Sequence, residues 1–248
     1  MAGNFVQLHN HTHYSLLDGA SKVPDLVKRV KELGMPAVGI TDHGNMHGAY
    51  ELWRAAVDSG VKPIIGIEAY VTPETARQDK TRVSWDTNWT PVPGHARNPD
   101  DVSGGGLITH LTMWAENDEG LVNLIKASSV ANLEGRVMRY PRMDKEVLST
   151  YSKGVIASSG CPSGIIQTRL RLGQFDEALR AAGEFQDIFG KDNFYIELMD
   201  HGLSIESKVT GDLLTIAKKL GAPLLATNDS HYVMEADKDA QDAMLCIN

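Results

Sequence analysis

His9, Asn10 and His11 stand on a short apolar run, and side chains two apart on an extended chain share a face, so both imidazoles point the same way. Asp229-Ser230-His231 repeats this spacing after LLATN, near the other end of the chain. Between the pairs, Asp18 occupies the turn SLLDG and His43 follows AVGIT within TDHG. Glu68 interrupts PIIGIEAYV, His110 interrupts LITHLTMWA, and Cys161 follows VIASSG. A carboxylate or imidazole inside an apolar run is costly to bury unless it is paired or coordinated. Five imidazoles, three carboxylates and one thiol make a ligand set suited to Zn, Mn or Fe, with the cysteine favouring zinc. One zinc ion takes about four ligands, so nine imply two or three ions sharing them. Clustered divalent ions suit phosphoester hydrolysis, because they generate a nucleophile from water and neutralise charge on the phosphate.

Each residue has a plainer reading when taken singly. A lone histidine after a strand is more often a satisfied loop residue, and His47, His95 and His201 are assigned there; the role of His13 is open. Glu197 in FYIELMDHG is expected to pair with a barrel Lys or Arg. Cys161 in isolation would be a small buried hydrophobe, but its place after a strand, between Gly160 and Pro162, moves it into the ligand set. Asp42 and Asn45 read as partners that orient His43. Gly104-Gly105-Gly106 lacks a following Lys-Ser/Thr and is not a phosphate loop.

The elements that must position these groups alternate along the chain. Strands are expected over 5–9, 37–41, 63–71, 107–115, 155–158, 194–198 and 224–227. Helices are expected over 24–33, 47–58, 121–130, 163–172, 175–189 and 205–220. Ser21 before Pro24-Asp25, and Asp144 before Lys145-Glu146, mark helix starts. Repeated βα units require a mainly parallel sheet, and seven fit a closed or nearly closed barrel better than a doubly wound sheet. In such a barrel, functional residues gather where strands end, and the nine fall at, beyond or near those ends. Residues 72–105 break the rhythm with four prolines and few aliphatics, a length of irregular chain that is usually functional or mobile. Trp85 and Trp89 there are expected to pin the segment to the barrel; the rival is a stacking platform for a nucleic-acid base or a contact with a neighbouring domain. Its basic residues, Arg77, Lys80, Arg82 and Arg97, are balanced by five acids.

Composition limits what the rest of the surface does. Against 24 Lys+Arg stand 32 Asp+Glu, a net charge of −8, which argues against gripping DNA by bulk electrostatics. Cys161 and Cys246 form no disulfide framework, the N-terminus lacks a signal-peptide pattern, and no apolar run approaches the roughly 18 residues of a membrane span. A reducing, cytoplasmic setting without a membrane partner is expected. The segment DKDAQDAMLCIN places Ala240, Ala243, Met244 and Ile247 at helical spacing without a C-cap. Residues 1–235 are therefore expected to form the barrel, and 236–248 the first turns of a helix leading into further domains.

The strings FVQLHNHTHYSLLDG, AVGITDHGNMHGAYEL, PIIGIEAYV, LITHLTMWAENDEGLVNLIKASS, SSGCPSGII and ATNDSHYV resemble the PHP (polymerase and histidinol phosphatase) domain. Over essentially the whole chain, the form they most resemble is the one at the N-terminus of bacterial DNA polymerase III alpha subunits of the actinobacterial kind. The resemblance implies an α/β fold, a distorted (β/α)7 barrel with a metal site at the C-terminal ends of the strands. It implies three divalent ions, zinc first and Mn or Fe as alternatives, held by His9, His11, Asp18, His43, Glu68, His110, Cys161, Asp229 and His231. His9, His11, Glu68 and Asp229 would be catalytic through metal-activated water, with Glu68 or Asp229 bridging ions. The implied activity is a 3′–5′ exonuclease that proofreads mismatched primer ends. Primer-template DNA would be delivered by adjoining polymerase domains, where nucleotidyl transfer would reside. The sliding clamp and other replisome subunits would bind elsewhere in such a polypeptide, and the segment itself would be monomeric. A structural module that binds metal without catalysis, and a small-molecule phosphatase of the histidinol-phosphatase type, are the alternatives. The chain departs from the family pattern at Gln7, where a histidine often stands, and at His13, where an acid is frequent; both are expected to tune the mouth of the site.

Overall fold

In the computed structural model, residues 5–95, 98–101 and 105–247 are described, so Arg97 and Gly104 lie outside the described residues. Seven strands form one curled sheet: β1 (Ala37–Ile40), β2 (Lys62–Val71), β3 (Thr109–Ala115), β4 (Arg142–Met143), β5 (Val155–Ser158), β6 (Phe194–Leu198) and β7 (Leu224–Ala226). Their order is β1-β2-β3-β5-β6-β7, with β4 paired to β2. Helices α1 (Val23–Glu32), α2 (Ala49–Ser59), α3 (Asp118–Glu134), α4 (Lys145–Thr150), α5 (Ile165–Arg171), α6 (Phe175–Phe189) and α7 (Ser204–Leu220) complete most of the α/β alternation, and α8 (Lys238–Leu245) follows.

The sheet is mixed, not mainly parallel. β1–β2, β2–β4, β5–β6 and β6–β7 are parallel, whereas β3 is antiparallel to both β2 and β5. Parallel neighbours need a crossover, usually a helix. Between β2 and β3 the described residues contain no helix, so the chain leaves and re-enters the sheet at the same end, and Tyr70 pairs with His110.

The expected first strand is not a regular ladder. Gln7 bridges Val38 and Asn10 bridges Ser230, both in parallel sense. Gly39 N donates to Gln7 O at 2.7 Å, and His11 N to Ser230 O at 2.8 Å. Residues 7–11 thus join the β1 edge to the segment after β7 through isolated pairs, and the curled sheet is a distorted barrel-like structure.

Local signals met mixed outcomes. Asp144 accepts from Val147 N and caps α4 as expected, and Asn117 caps α3 by accepting from Gly120 N at 3.0 Å, so the helix begins at Asp118, three residues before the expected start. Ser21 is no cap: Lys22 occupies that position without a side-chain bond, and Ser21 bridges Thr12 instead. Apolar side chains of the strands, such as Ile67, Ala69, Leu111, Met113 and Ile196, are buried in a core with α3, α5, α6 and α7. A smaller core joins α1 and α2 to Val38 and Ile40. Alternate strand positions carry Glu68, Thr112, Ser158 and Glu197, equally buried, and these polar side chains build the site.

The excursion over 72–105 is irregular in its described part, yet anchored. Trp85 lies under the Arg169 guanidinium, 3.8 Å from ring centroid to Cζ, and packs against the larger core. Asp101 accepts from Ser84 Oγ at 2.6 Å and from Trp85 N at 2.7 Å. Arg142, fully buried, donates to the carbonyls of Arg77 and Asp79, both at 2.7 Å.

Candidate metal centre

The rim where β1 and β2 end gathers all nine expected ligand residues. Glu68 stands at its middle. Its Oε2 lies 3.1 Å from His11 Nε2 and 2.8 Å from His43 Nδ1, and its Oε1 lies 3.0 Å from His110 Nδ1 and 3.1 Å from Cys161 Sγ. Asp229 Oδ1 approaches His9 Nε2 at 3.3 Å and His11 Nε2 at 3.1 Å. Asp18 Oδ2 reaches His43 Nε2 at 2.6 Å and His231 Nε2 at 3.5 Å. Three groups could hold a metal ion, with ligand atoms within 4.8 Å of one another: His9, His11 and Asp229; His11, His43 and His231; and His43, Glu68 and His110.

Strand ends account for His43, Asp229 and His231, but not for His110. It sits at the start of β3, and reaches the rim because β3 runs backwards past the end of β2. Asp229 has a φ of 45°, a left-handed backbone uncommon outside glycine, which turns its carboxylate over the His9–His11 pair.

The donor set fits divalent cations on its own chemistry. His9 Nε2, His11 Nε2, His43 Nδ1, Glu68 Oε2 and Asp229 Oδ1 are buried and face one another at 2.8–3.3 Å without being aligned into hydrogen bonds. Buried polar atoms are normally satisfied, and five lapses converging on one spot are what a set of ligands shows without its ions. Charge points the same way. Burial alone would favour neutral groups, yet neighbouring His110, His43 and His9 hold the Glu68 carboxyl well below its usual range. Burial likewise opposes a charged His43, but Glu68 and Asp18 push its imidazole up to about 10. Burial, followed by Glu68 and Asp229, pushes the Cys161 thiol up, so without a cation it stays protonated.

Outer partners aim the ligands, and here the structure corrects the sequence reading. Among the described residues, Glu197 pairs with no Lys or Arg. Its carboxylate accepts from His9 Nδ1 at 2.7 Å and from the hydroxyls of Ser158 and Thr227. Asp42 reaches His11 as well as His43 through one hydroxyl: it accepts from Ser15 Oγ at 2.8 Å, and Ser15 Oγ contacts His11 Nδ1 at 2.9 Å and accepts from His43 N at 3.1 Å. Asn45 does act on His43, donating from Nδ2 to its carbonyl at 3.0 Å. Gln241 of α8 donates to the Asp18 carbonyl, so the last helix is tied to the same rim.

The remaining histidines stay outside. His47 is exposed, His95 pairs through its backbone with Val92, and His201 contacts Glu206 Oε1 at 2.6 Å. His13 is partly exposed, 3.9 Å from Glu51 at the outer mouth. Gln7 lies two residues before His9 with a buried Oε1, below the rim and not at its mouth.

A PHP domain family model matches residues 7–201. The chain is 51% identical over 244 residues to the DNA polymerase III subunit alpha of Mycobacterium leprae, and 53% identical over 243 residues to that of Saccharopolyspora erythraea. Each match takes in 98% of this chain and 20% of the relative, so the chain spans about a fifth of the length of these curated relatives. Among solved structures, an amidohydrolase from Chromobacterium violaceum with bound sulfate and no metal superposes with a TM-score of 0.53. That likeness covers 98% of this chain and 97% of the other at 14% identity, and it speaks to the fold alone.

Proposed function

Because this chain belongs to the PHP domain family, closely related to the PHP domains of actinobacterial DNA polymerase III alpha subunits, we propose that its rim is a metal-dependent phosphodiesterase centre acting on DNA 3′ ends. The carrying observation is the convergence on one spot of five buried ligand atoms that make no aligned hydrogen bond. His9, His11, Asp18, His43, Glu68, His110, Cys161, Asp229 and His231 would hold two or three divalent ions, zinc first with Mn or Fe as alternatives. Such ions, when bound, make water nucleophilic near neutral pH and take charge from the phosphate and the departing 3′ oxygen.

The chain's own groups supply order. Glu197 fixes His9, and Ser15 with Asp42 fixes His11, so both rings present Nε2 to the interior. Glu68, within reach of three imidazoles and the thiol, would hold a cation together with them, and Asp229 would do so with His9 and His11. The substrate we assign is the terminal phosphodiester of a frayed, mismatched primer, and the role is 3′–5′ proofreading. In the polymerase polypeptide, adjoining domains would deliver primer-template DNA and carry nucleotidyl transfer, while the sliding clamp and other replisome subunits would bind beyond this segment. No helix among the described residues is long and apolar enough to cross a membrane, and a cytoplasmic site of action accords with this reading.

The test is the double substitution His9→Ala/His11→Ala. It is expected to abolish nucleotide release from a 3′-mismatched primer and to lower metal content; a folded double variant that degrades the primer at the native rate defeats the assignment. One observation favours a second reading, a non-catalytic metal staple. The ligands join residues 9–18 to residues 229–231, across the two edges that isolated pairs bring together. Metal removal that costs stability, in a protein without nuclease activity, would support the staple. Turnover of a phosphomonoester without action on DNA would instead mark a small-molecule phosphatase.

A further inference from the structure

Among the rim ligands, Asp229 alone has a left-handed backbone, and the carbonyls on both sides of its Cα are held by imidazoles. On the following peptide, the Asp229 carbonyl oxygen lies 2.8 Å from His231 Nδ1. On the preceding peptide, the Asn228 carbonyl oxygen lies 2.9 Å from Nε2 of His201, 27 positions upstream. A left-handed conformation at a residue other than glycine persists only where its surroundings over-determine it. The two rings do so by fixing the two rigid peptide planes that the Asp229 φ and ψ relate.

His201 is itself placed by the turn between β6 and α7. Asp200 Oδ1 accepts from Gly202 N at 3.2 Å, and Gly202 bends the chain with a φ of 72°. In the first turn of α7, the buried Glu206 holds His201 twice: Oε2 accepts from its backbone N at 2.8 Å, and Oε1 lies 2.6 Å from its Nδ1. Carboxylate and carbonyl oxygens only accept, so both ring nitrogens donate, which takes the protonated imidazole. The hydrogen bond to Glu206 raises the ring's pKa against the burial that opposes its charge. The ring's bonds go to Glu206 and Asn228, outside the ligand set.

We infer that His201 is a positioning residue of the metal centre: through the Asn228 carbonyl it sets the turn that carries Asp229, and so holds that carboxylate over His9 and His11. The inference rests on the metal-centre reading and adds to it a residue that is no ligand. Without the bond from His201, the peptide between Asn228 and Asp229 can rotate, and the Asp229 φ relaxes toward the negative values that residues other than glycine favour. The flanking chain stays in place, because Thr227 N donates to the Leu198 carbonyl at 3.2 Å and Ser230 N to the His9 carbonyl at 3.1 Å. The loss therefore falls on the Asp229 carboxylate, whose Oδ1 lies 3.3 Å from His9 Nε2 and 3.1 Å from His11 Nε2.

The test replaces His201 by Gln, Asn and Ala in the intact protein. The amide nitrogen of H201Q falls where Nε2 does and still donates to Asn228; that of H201N falls where Nδ1 does and keeps only the bond to Glu206. Co(II) affinity is read by competition with a chelating dye, and the Asp229 φ by backbone NMR couplings in metal-free protein. H201N and H201A should bind Co(II) about 10- to 100-fold more weakly, the usual loss when a group behind a metal ligand is removed, and H201Q should stay near the parent. The Asp229 φ should turn negative in H201N and H201A and remain positive in H201Q. A role confined to satisfying the buried Glu206 gives the reverse order, with Asn restoring affinity and Gln not. That order, parental Co(II) affinity in H201A, or an Asp229 φ that stays positive in H201A overturns the inference. If φ responds as expected but the intact protein takes up no Co(II), the clamp on the turn stands and the metal-centre reading falls.

Discussion

Glu197 Oε1 accepts a hydrogen bond from His9 Nδ1 at 2.7 Å, which commits the other ring nitrogen, Nε2, to the interior beside Asp229 and Glu68. A carboxylate behind a ligating imidazole fixes its tautomer and raises its basicity. Glu197→Gln keeps the volume and one hydrogen bond but removes the charge. Metal affinity, read by competition with a chelating dye, should fall about 10- to 100-fold while the fold persists. Unchanged affinity would show that His9 needs no such partner.

Metal removal should reach beyond the ligands. The buried atoms of His9, His11, His43, Glu68 and Asp229 that make no aligned hydrogen bond would be satisfied by cations among them. Any ion that binds the folded chain alone stabilises it, by about 2.7 kcal/mol at a hundredfold excess over Kd. A chelator should therefore lower Tm, and hydrogen exchange should accelerate first in residues 9–18 and 229–231. A melting curve indifferent to chelation would mean that these atoms do not face bound ions.

Gly44 sets the distance between the ligand His43 and the Tyr70 ring stacked beside it. It has a φ of 64°, and a Cβ there would lie 2.7 Å from the Tyr70 ring and 3.1 Å from Pro141 Cγ. Gly44→Ala should cost about 1–3 kcal/mol in stability, the usual size of such backbone strain, and should displace Tyr70 from His43. Urea midpoints read the loss, and a variant as stable as the parent would show that this turn accommodates a side chain.

Much of the centre was legible because its signals are local. Strand parity pairs His9 with His11 and Asp229 with His231, and the cost of an unpaired charge in an apolar run marks Glu68 and His110. The direction of β3 was not legible, since it depends on the chain re-entering the sheet at the end where β2 leaves it, a fact about the connection and not about the strand. The same buried-carboxylate signal that singled out Glu68 was present in FYIEL, but its partner, His9, lies 188 positions away. The link from Asp42 to His11 runs through the Ser15 hydroxyl, a three-residue relation that no spacing rule contains.

The irregular 72–105 segment should loosen in acid, and Glu74 is the reason. Its carboxylate pairs with Arg169, which lies over Trp85, and with Arg180 on α6. Burial opposes its charge, but hydrogen bonds from Arg180 and Arg169 hold its carboxyl below the ordinary carboxylate range. A carboxyl lower in the folded than in the unfolded chain contributes stability that is complete above the unfolded value, near 4.5, and drains away as pH falls through the folded one. Glu74→Gln should therefore be less stable than the parent by about 1 kcal/mol at pH 7, the upper end for a partly exposed pair. The two should converge as the pH falls through the lowered titration of Glu74 in the folded chain, with urea midpoints as the readout. Proteolysis within 72–105 should rise in the variant at pH 7 while metal content stays unchanged, because Glu74 touches none of the rim ligands. A stability gap that stays constant from pH 7 to 3 would mean that the paired charge is not what anchors the segment.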